Sequence, residues 1–410
     1  MSDPAASLGR RESSQARLRP RIERIPAELQ AALGRLTEPG GVPPLSAADA
    51  PIRITGGGMS EGPARFLTAL LSERGIAAEY IPLSEFVAAE PMHAAGETPA
   101  SPRKGTLVLF SQGLAPNARF PLLPRHRRRA RRCLLVTAVV PDADPGAGLS
   151  ARIAAAAQAD GVQVLTLPPA SEEGLLLRVI GPAVHCLAAA YLAGVSPKTL
   201  QAVPGVYAAA ARRAYPSLWP DPPKPAVALV AGGRYMSACF GLRWKLLEGL
   251  HLPDPPIWDL LQVAHGPLQS IWTRPQTLLL LQRPDVPHEA PLWRALGEVF
   301  RAPQHTLLPL PATQLPGSLA YFEQDAGLNW LVLQTLAAAN RGISPSDGES
   351  IDLIDWPGRG SDGPLYNLAP DGADLLKLDQ GAGFASNHQP DDKPGLETAP
   401  ESAPESEGSA

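Results

Sequence analysis

The stretch Ile52-Arg53-Ile54-Thr55-Gly56-Gly57-Gly58-Met59-Ser60 has a counterpart in Ala226-Val227-Ala228-Leu229-Val230-Ala231-Gly232-Gly233-Arg234-Tyr235-Met236-Ser237. In both copies an apolar run leads into paired glycines, a Met-Ser pair and then an amphipathic segment, residues 61–74 and 238–249. This order predicts a strand, a glycine turn and a helix, used twice. We therefore expect two similar halves.

The segments that follow each copy continue the alternation of strand and helix. Further strands are predicted at 106–110, 134–140, 162–167, 277–281 and 305–310, and further helices at 151–159, 172–192 and 328–340. Alternation of this kind predicts an α/β fold, with a parallel sheet flanked by helices in each half, doubly wound and flavodoxin-like.

Composition divides the chain into domains. We predict disordered tails at 1–20 and 385–410, a first domain at 21–195, a connector at 196–225 and a second domain at 226–384. The tails are polar and charged, so they bury too little apolar surface to offset the entropy of ordering. The connector combines a helical pattern at 199–214 with a proline-rich end.

The overall charge excludes some classes of partner. The chain has 410 residues, a net charge of −4 and 44% hydrophobic residues. This balance provides no electrostatic attraction to nucleic acid or to acidic membranes, and no run of about twenty apolar residues predicts a membrane span. The basic run at 125–132 is interpreted as the solvated face of a surface helix.

The three cysteines indicate the compartment. Cys133, Cys186 and Cys239 are widely spaced and lie in or beside apolar stretches, which favours buried free thiols over disulfides or metal ligands. The first residues also lack the apolar region of a secretory signal. We expect a cytoplasmic protein that holds neither a metal nor another cofactor.

The glycine turns have a possible binding role. Gly57 and Gly58 allow a close approach of backbone to ligand, and the Ser60 hydroxyl adds a donor at the start of a helix. Ser111 and Gln112 follow the next strand of the first half, at the edge where α/β sheets bind ligands. Together they predict an anion site, although such a turn also serves purely as a tight connection.

These motifs, in their order, resemble the double sugar isomerase (SIS) domain family. The first half carries Gly57-Gly58-Met59-Ser60, Leu83-Ser84-Glu85-Phe86 and Ser111-Gln112, and the second carries Lys245-Leu246-Leu247-Glu248 and His265-Gly266-Pro267-Leu268. The second set is similar to the isomerase portion of glucosamine-6-phosphate synthase. No glutaminase domain precedes the first half, so ammonia derived from glutamine is not expected.

The resemblance implies catalytic roles. Glu248 would be the base that moves a proton between sugar carbons, Lys245 would support it, and His265 would assist ring opening from the partner subunit of a homodimer. Without the resemblance, the spacing of Glu248 and Lys245 is also typical of a charged pair on the solvated face of a helix. His265 would then be a turn residue.

The departures from the family pattern are also specific. The segment Ser111-Gln112-Gly113-Leu114-Ala115-Pro116 lacks hydroxyls of the family's phosphate loop, and Pro370 replaces a ring-opening lysine. A family glutamate is replaced by Gly241. At a further helix start a serine is lost, and Arg178 offers a cation instead. These changes predict that the protein binds a phosphate group more weakly than the family does, or that its ligand is unphosphorylated.

Two functions remain open from the sequence. The first is an aldose–ketose isomerase or deaminase acting on a sugar phosphate or an amino sugar. The alternative is a catalytically silent sugar-phosphate-binding protein, either regulatory or the partner subunit of an enzyme. Fold resemblance by itself does not separate them.

Overall fold

The computed structural model describes residues 4–87, 104–169, 172, 177–213, 226–250, 252–300 and 305–342. These residues belong to one compact unit. The tail predicted at 385–410 and Pro370 lie outside them.

The first half is built on a five-stranded parallel sheet. Its strands are β1 (Ile52–Gly56), β2 (Ala78–Tyr80), β3 (Thr106–Phe110), β4 (Arg132–Thr137) and β5 (Gln163–Thr166). Their order in the sheet is β2-β1-β3-β4-β5. The strand order reverses between β1 and β3, and ligands of doubly wound folds bind beyond the carboxyl ends of the strands at that point.

The second half repeats this topology with one strand fewer. Its strands are β6 (Ala226–Ala231), β7 (Ile257–Asp259), β8 (Gln276–Leu280) and β9 (Thr306–Pro309). The order β7-β6-β8-β9 is parallel throughout and matches the first four strands of the other sheet. The two parallel sheets confirm the predicted α/β fold.

Helices cover the sheets. They are α1 (Pro4–Leu36), α2 (Glu61–Glu73), α3 (Pro124–Arg127), α4 (Leu149–Ala159), α5 (Ile180–Leu192), α6 (Pro197–Ala211), α7 (Tyr235–Ala238), α8 (Leu242–Leu250), α9 (Gly266–Thr273), α10 (Ala290–Val299) and α11 (Tyr321–Gly342). The helix predicted over 172–192 begins only at Ile180. The domain boundaries at 195/196 and 225/226 stay a prediction, because one hydrophobic cluster contains residues of both sheets.

The start of the chain differs from the disordered tail predicted for residues 1–20. Helix α1 already begins at Pro4, and Leu18 is fully buried. Leu18, Ile22, Ile25 and Leu29 recur every three or four residues and belong to the main core cluster. Leu18, the first residue of this apolar stripe, lies within the polar segment that was predicted to be a disordered tail, so composition alone did not reveal it.

The basic run also differs from the predicted solvated helix. Helix α3 is a single turn, and Arg132 already belongs to β4. Arg127 is 6% exposed, donates a hydrogen bond to the backbone oxygen of Asp160 at 3.0 Å and pairs with the Asp160 carboxylate. Arg127 therefore ties α3 to the end of α4. With Arg128 and Arg131 it borders a cavity of about 270 Å³.

The two halves touch at a pair of glycines. An added Cβ on Gly62 would lie 2.8 Å from the Gly241 Cα, and one on Gly241 would lie 2.7 Å from the Gly62 Cα. Gly62 is in α2 and Gly241 directly precedes α8. The absence of a side chain at Gly241, which the sequence showed only as the loss of a family glutamate, lets the backbones of the halves approach closely.

Candidate functional site

The two glycine turns have the same backbone conformation. Gly58 has a φ of +55° and Gly233 a φ of +57°, a region that favours glycine. Each lies two residues beyond the strand, β1 or β6, at the edge predicted to bind ligand. The repeated sequence unit is thus a repeated structural unit.

Ser111 and Gln112 lie across the switch point from Ser60. Ser111 is 4% exposed, and its N–H donates to the Val136 oxygen at 3.0 Å. The Gln112 side chain packs so closely against Gly181 that a Cβ there would overlap it. The structure therefore brings together three elements, the loops after β1 and β3 and the start of α5.

The loop after β3 does not form the helix start that a phosphate cradle uses. Within residues 111–123 the chain makes a 3₁₀ turn over Pro116–Leu122 and no α-helix. Leu114 has a φ of +50°, and Pro116 has no N–H to donate. The hydroxyl losses seen in the sequence accompany the loss of a helix N-terminus, which is the usual anion site.

Glu172 occupies the amides at the start of α5. Its Oε1 accepts hydrogen bonds from the N–H groups of Val179 at 2.6 Å and Ile180 at 2.9 Å, and its Oε2 accepts from Gly181 at 2.8 Å. The side chain is fully buried. A carboxylate at a helix N-terminus satisfies unpaired amides and complements the helix dipole. Glu172 is therefore a capping residue and not part of the helix predicted from it.

A crevice of about 10 Å³ lies between these elements. It is lined by Met59, Ser60, Pro63, Gln112, Gly181, Pro182 and His185. Its size matches a single water molecule, so binding of a whole sugar requires the walls to move apart. The lining includes the predicted Ser60 and Gln112 but neither Glu248 nor His265.

His185 is a lining residue that the sequence analysis missed. It is buried in α5, and its Nδ1 lies 2.7 Å from the Gly181 oxygen. Burial lowers the pKa of His185 to about 4, so the ring is neutral at physiological pH. The available signal was a lone histidine within the apolar run from Ile180 to Leu192.

Glu248 has the environment expected of a proton-transfer group. Burial raises the pKa of Glu248 to about 7, and the positive charges of Arg178 and Lys245 lower it only in part. Its Oε2 is buried and has no hydrogen-bond partner among the described residues. The carboxyl group thus takes up or releases a proton near neutral pH.

Arg178 links this carboxyl group to the crevice. Its Nη1 donates to the backbone oxygen of Glu172 at 2.7 Å, while its charge acts on Glu248. Because Glu172 in turn holds the first amides of α5, Glu248 is connected to the crevice wall through two intermediate residues. Anion binding by Arg178 stays a prediction.

Lys245 is part of a buried polar network. Its Nζ lies 3.0 Å from Asp325 Oδ1 and donates to Asn329 Oδ1 at 2.7 Å, and the side chain is fully buried. Tyr207 donates to Asp325 Oδ2 at 2.6 Å, and Tyr321 donates to Oδ1 at 3.1 Å. The reading of Lys245 as one half of a solvated helical pair is wrong. Its ammonium group joins α8 to α11 and, through Tyr207, to α6.

His265 lies at the surface. It is exposed and directly precedes α9. Its action on a partner subunit stays a prediction. Among the described residues there is no cluster of histidine, cysteine and acidic side chains suited to a metal ion. In the same part of the chain, no helix has the length and apolar character needed to cross a membrane.

Comparisons with known proteins identify the fold. The structure is similar to glucosamine-6-phosphate deaminase from Thermotoga maritima, with 15% identity and a TM-score of 0.53 over 81% of this chain and 97% of that one. It is also similar to tagatose-6-phosphate ketose/aldose isomerase from Escherichia coli, with 16% identity and a TM-score of 0.52 over 83% and 93%.

A third similar structure is the C-terminal domain of glucosamine-fructose-6-phosphate aminotransferase from Francisella tularensis, with 12% identity and a TM-score of 0.51 over 78% of this chain and 95% of that one. No model of a protein family and no curated protein matches the sequence. The comparisons therefore establish a shared fold, in agreement with the resemblance seen in the motifs.

Proposed function

We propose that the protein is an aldose–ketose isomerase or deaminase acting on a carbohydrate derivative, with Glu248 as the base. The observation that carries this proposal is the buried Glu248 carboxyl group, with a pKa of about 7 and an Oε2 that has no partner among the described residues. Moving a proton between neighbouring sugar carbons requires a group that accepts it from one carbon and returns it to the next. A carboxyl group near its pKa does both.

The reaction class, and two further features of the proposal, follow the family resemblance. The solved structures with this fold include a deaminase and a ketose/aldose isomerase of sugar phosphates. The protein acts as a homodimer, with the exposed His265 reaching the partner's site. It resides in the cytoplasm, consistent with Cys133, Cys186 and Cys239 as free thiols.

A second candidate is a catalytically silent carbohydrate-binding protein, either regulatory or the partner of an enzyme. Two observations favour it: the crevice has a volume of about 10 Å³, and Lys245 is held by Asp325 and Asn329 in the core. In this role Glu248 would be a buried residue with a raised pKa and no substrate proton to move.

A deuterium-exchange experiment separates the candidates. The protein is first screened by thermal shift against hexoses, hexosamines, pentoses and their phosphates, because a ligand that binds the native state raises the melting temperature. Each sugar that binds is then incubated with the protein in D₂O, and NMR measures loss of the C2 proton together with any isomer or ammonia.

We expect Glu248→Gln to slow exchange by about 10²–10⁴-fold while leaving binding nearly intact, since the amide keeps the shape but not the basicity. Glu38→Gln makes the same change at an exposed site and serves as the control. Exchange by Glu248→Gln at the wild-type rate would exclude Glu248 as the base. Binding without exchange by the wild-type protein would favour the silent candidate.

A further inference from the structure

His185, which lines the crevice, carries a buried hydrogen-bond acceptor. The Gly181 oxygen can only accept a hydrogen bond, so His185 Nδ1, at 2.7 Å, is the protonated ring nitrogen. The fully buried ring is neutral, and Nε2 therefore carries a lone pair. This tautomer is set by the backbone of the same helix.

The acceptor has no partner of its own. His185 Nε2 is buried and lacks a hydrogen bond among the described residues, although its ring lines the crevice together with Ser60 and Gln112. Buried polar atoms in folded proteins are nearly always paired, so an orphan at a crevice wall indicates a donor that arrives from outside. A neutral hydroxyl group is such a donor.

A phosphate group is a poor occupant of the same position. The first amides of α5 already donate to the Glu172 carboxylate, which would also repel a second anion. The lining contains no lysine or arginine, and the lone pair of His185 Nε2 would face a phosphate oxygen. Charge and hydrogen-bond polarity therefore select against a dianion.

Size leads to the same conclusion. The crevice volume of about 10 Å³ is close to that needed for one water molecule, which a hydroxyl group resembles. A phosphate group has five heavy atoms and is several times larger. Opening the crevice for one hydroxyl group therefore takes a smaller movement of its walls than opening it for a phosphate group.

We infer that this crevice binds a hydroxyl group of an unphosphorylated carbohydrate, which donates a hydrogen bond to His185 Nε2. The inference rests on the proposed carbohydrate-binding function and deepens it, because it assigns the substrate class. His185 is a binding residue here, and Ser60 and Gln112 flank the bound hydroxyl.

Isothermal titration with matched ligands tests the inference. The probes are fructose and glucosamine, each compared with its 6-phosphate. We expect the unphosphorylated sugars to bind about tenfold more tightly than their phosphates, because the first amides of α5 already donate to Glu172 and no lysine or arginine lines the crevice to receive a phosphate.

Two histidine variants identify the atom. Asparagine places its amide near the position of Nδ1, so His185→Asn keeps a donor to Gly181 and removes the acceptor, and we expect about tenfold weaker sugar binding. Glutamine places a polar group near the position of Nε2, so His185→Gln should bind more tightly than His185→Asn. Circular dichroism confirms that each variant is folded.

The outcomes are distinct. Tighter binding of the phosphates, or unchanged binding by a folded His185→Asn variant, would overturn the inference and leave the proposed function standing. Binding of neither ligand class would overturn both. Should the variants misfold, ¹⁵N NMR of histidine-labelled wild-type protein decides the question, since a sugar that donates to His185 shifts its Nε2 resonance and an unshifted resonance contradicts the inference.

Discussion

At the carboxyl ends of the two sheets, the glycine turns have the same backbone conformation, but the side chains around them differ. In the first half, the turn at Gly58 opens onto a small crevice beside His185. In the second half, the turn at Gly233 has the same φ to within two degrees, yet the space above Gly232 is taken by the side chain of Glu289. The same backbone turn thus borders a crevice in one half and a packed acidic side chain in the other.

A buried ion pair fills the second half. Glu289 is 2% exposed and pairs with Arg283, whose Nη2 also donates to the Gly232 oxygen at 3.1 Å. Both residues follow β8, as Ser111 and Gln112 follow β3. The pair is not fully satisfied, since Arg283 Nε and Glu289 Oε2 are buried and have no hydrogen-bond partner among the described residues. The two halves therefore differ at this turn in whether a side chain fills the space, with Glu289 beside Gly232 and a small crevice beside His185.

The largest expected effect comes from breaking this ion pair. Arg283→Met leaves the Glu289 carboxylate buried without its partner, and we expect the free energy of unfolding to fall by about 3–5 kcal/mol. Urea unfolding measures the loss. His185→Asn, at the equivalent end of the other sheet, should cost far less, because it removes an atom that makes no bond within the described fold.

The control for Arg283→Met is an exposed pair. Arg24 and Glu28 are four residues apart on α1, and Arg24 Nε lies 2.8 Å from Glu28 Oε1. The Arg24 side chain is 46% exposed. Arg24→Met should cost about 0.3–0.5 kcal/mol, as is usual for such pairs. If the two substitutions destabilise the protein equally, the buried pair Arg283–Glu289 contributes no more to stability than the exposed pair.

A smaller effect is expected where the halves meet. In Gly241→Ala the new Cβ would lie 2.7 Å from the Gly62 Cα, so the backbones must separate, and we expect a loss of about 1–3 kcal/mol. Gly205→Ala in α6 places a methyl group where nothing lies within 4 Å. It should raise stability by about 0.5–1 kcal/mol, since alanine favours the helix.

Urea unfolding of both variants provides the measurement. A loss in Gly241→Ala alone would show that the halves depend on this close contact. A gain in both variants would show that the contact is loose and that the halves move apart easily.

A further effect concerns the pH dependence of stability at Glu248. Its pKa is about 7 in the folded protein and near 4.5, the ordinary value for glutamate, when the chain is unfolded. Between these values the folded state binds the extra proton, so this group lowers stability as pH rises from 4.5 to 7 and changes it no further above 7.

Glu248→Gln removes this dependence. We expect its melting temperature to exceed that of the wild type by more at pH 8 than at pH 4.5, as differential scanning calorimetry would measure. A difference that is independent of pH would mean that the carboxyl group ionises normally and would weaken its assignment as the base.

Much of the fold could be predicted from local sequence. Strand β3 has the predicted bounds, and both glycine turns were identified, because apolar runs that end in paired glycines are local signals. The three-residue edge strands β2 and β7 were missed. So short a strand has no periodicity to recognise, and only its neighbours define it.

The site was less predictable, since roles there depend on partners far along the chain. Lys245 and Asp325 are 80 residues apart, and local sequence gives no sign of their buried contact. The role of Lys245 as catalytic support stays a prediction. Glu172 was expected within a helix, but the three amides it accepts make it a cap. The apolar pattern of the sequence is the same whether this glutamate lies within the helix or caps it from outside.

The sequence by itself determined the duplicated α/β plan, because apolar periodicity and glycine turns act over a few residues. It also predicted Glu248 as the base and located the turn that carries Ser60. Only the tertiary structure decided which half keeps a crevice, that Glu172 fills the start of α5, and that His185 offers a lone pair. Burial and hydrogen-bond pairing set those outcomes, and both depend on segments that meet only when the chain has folded.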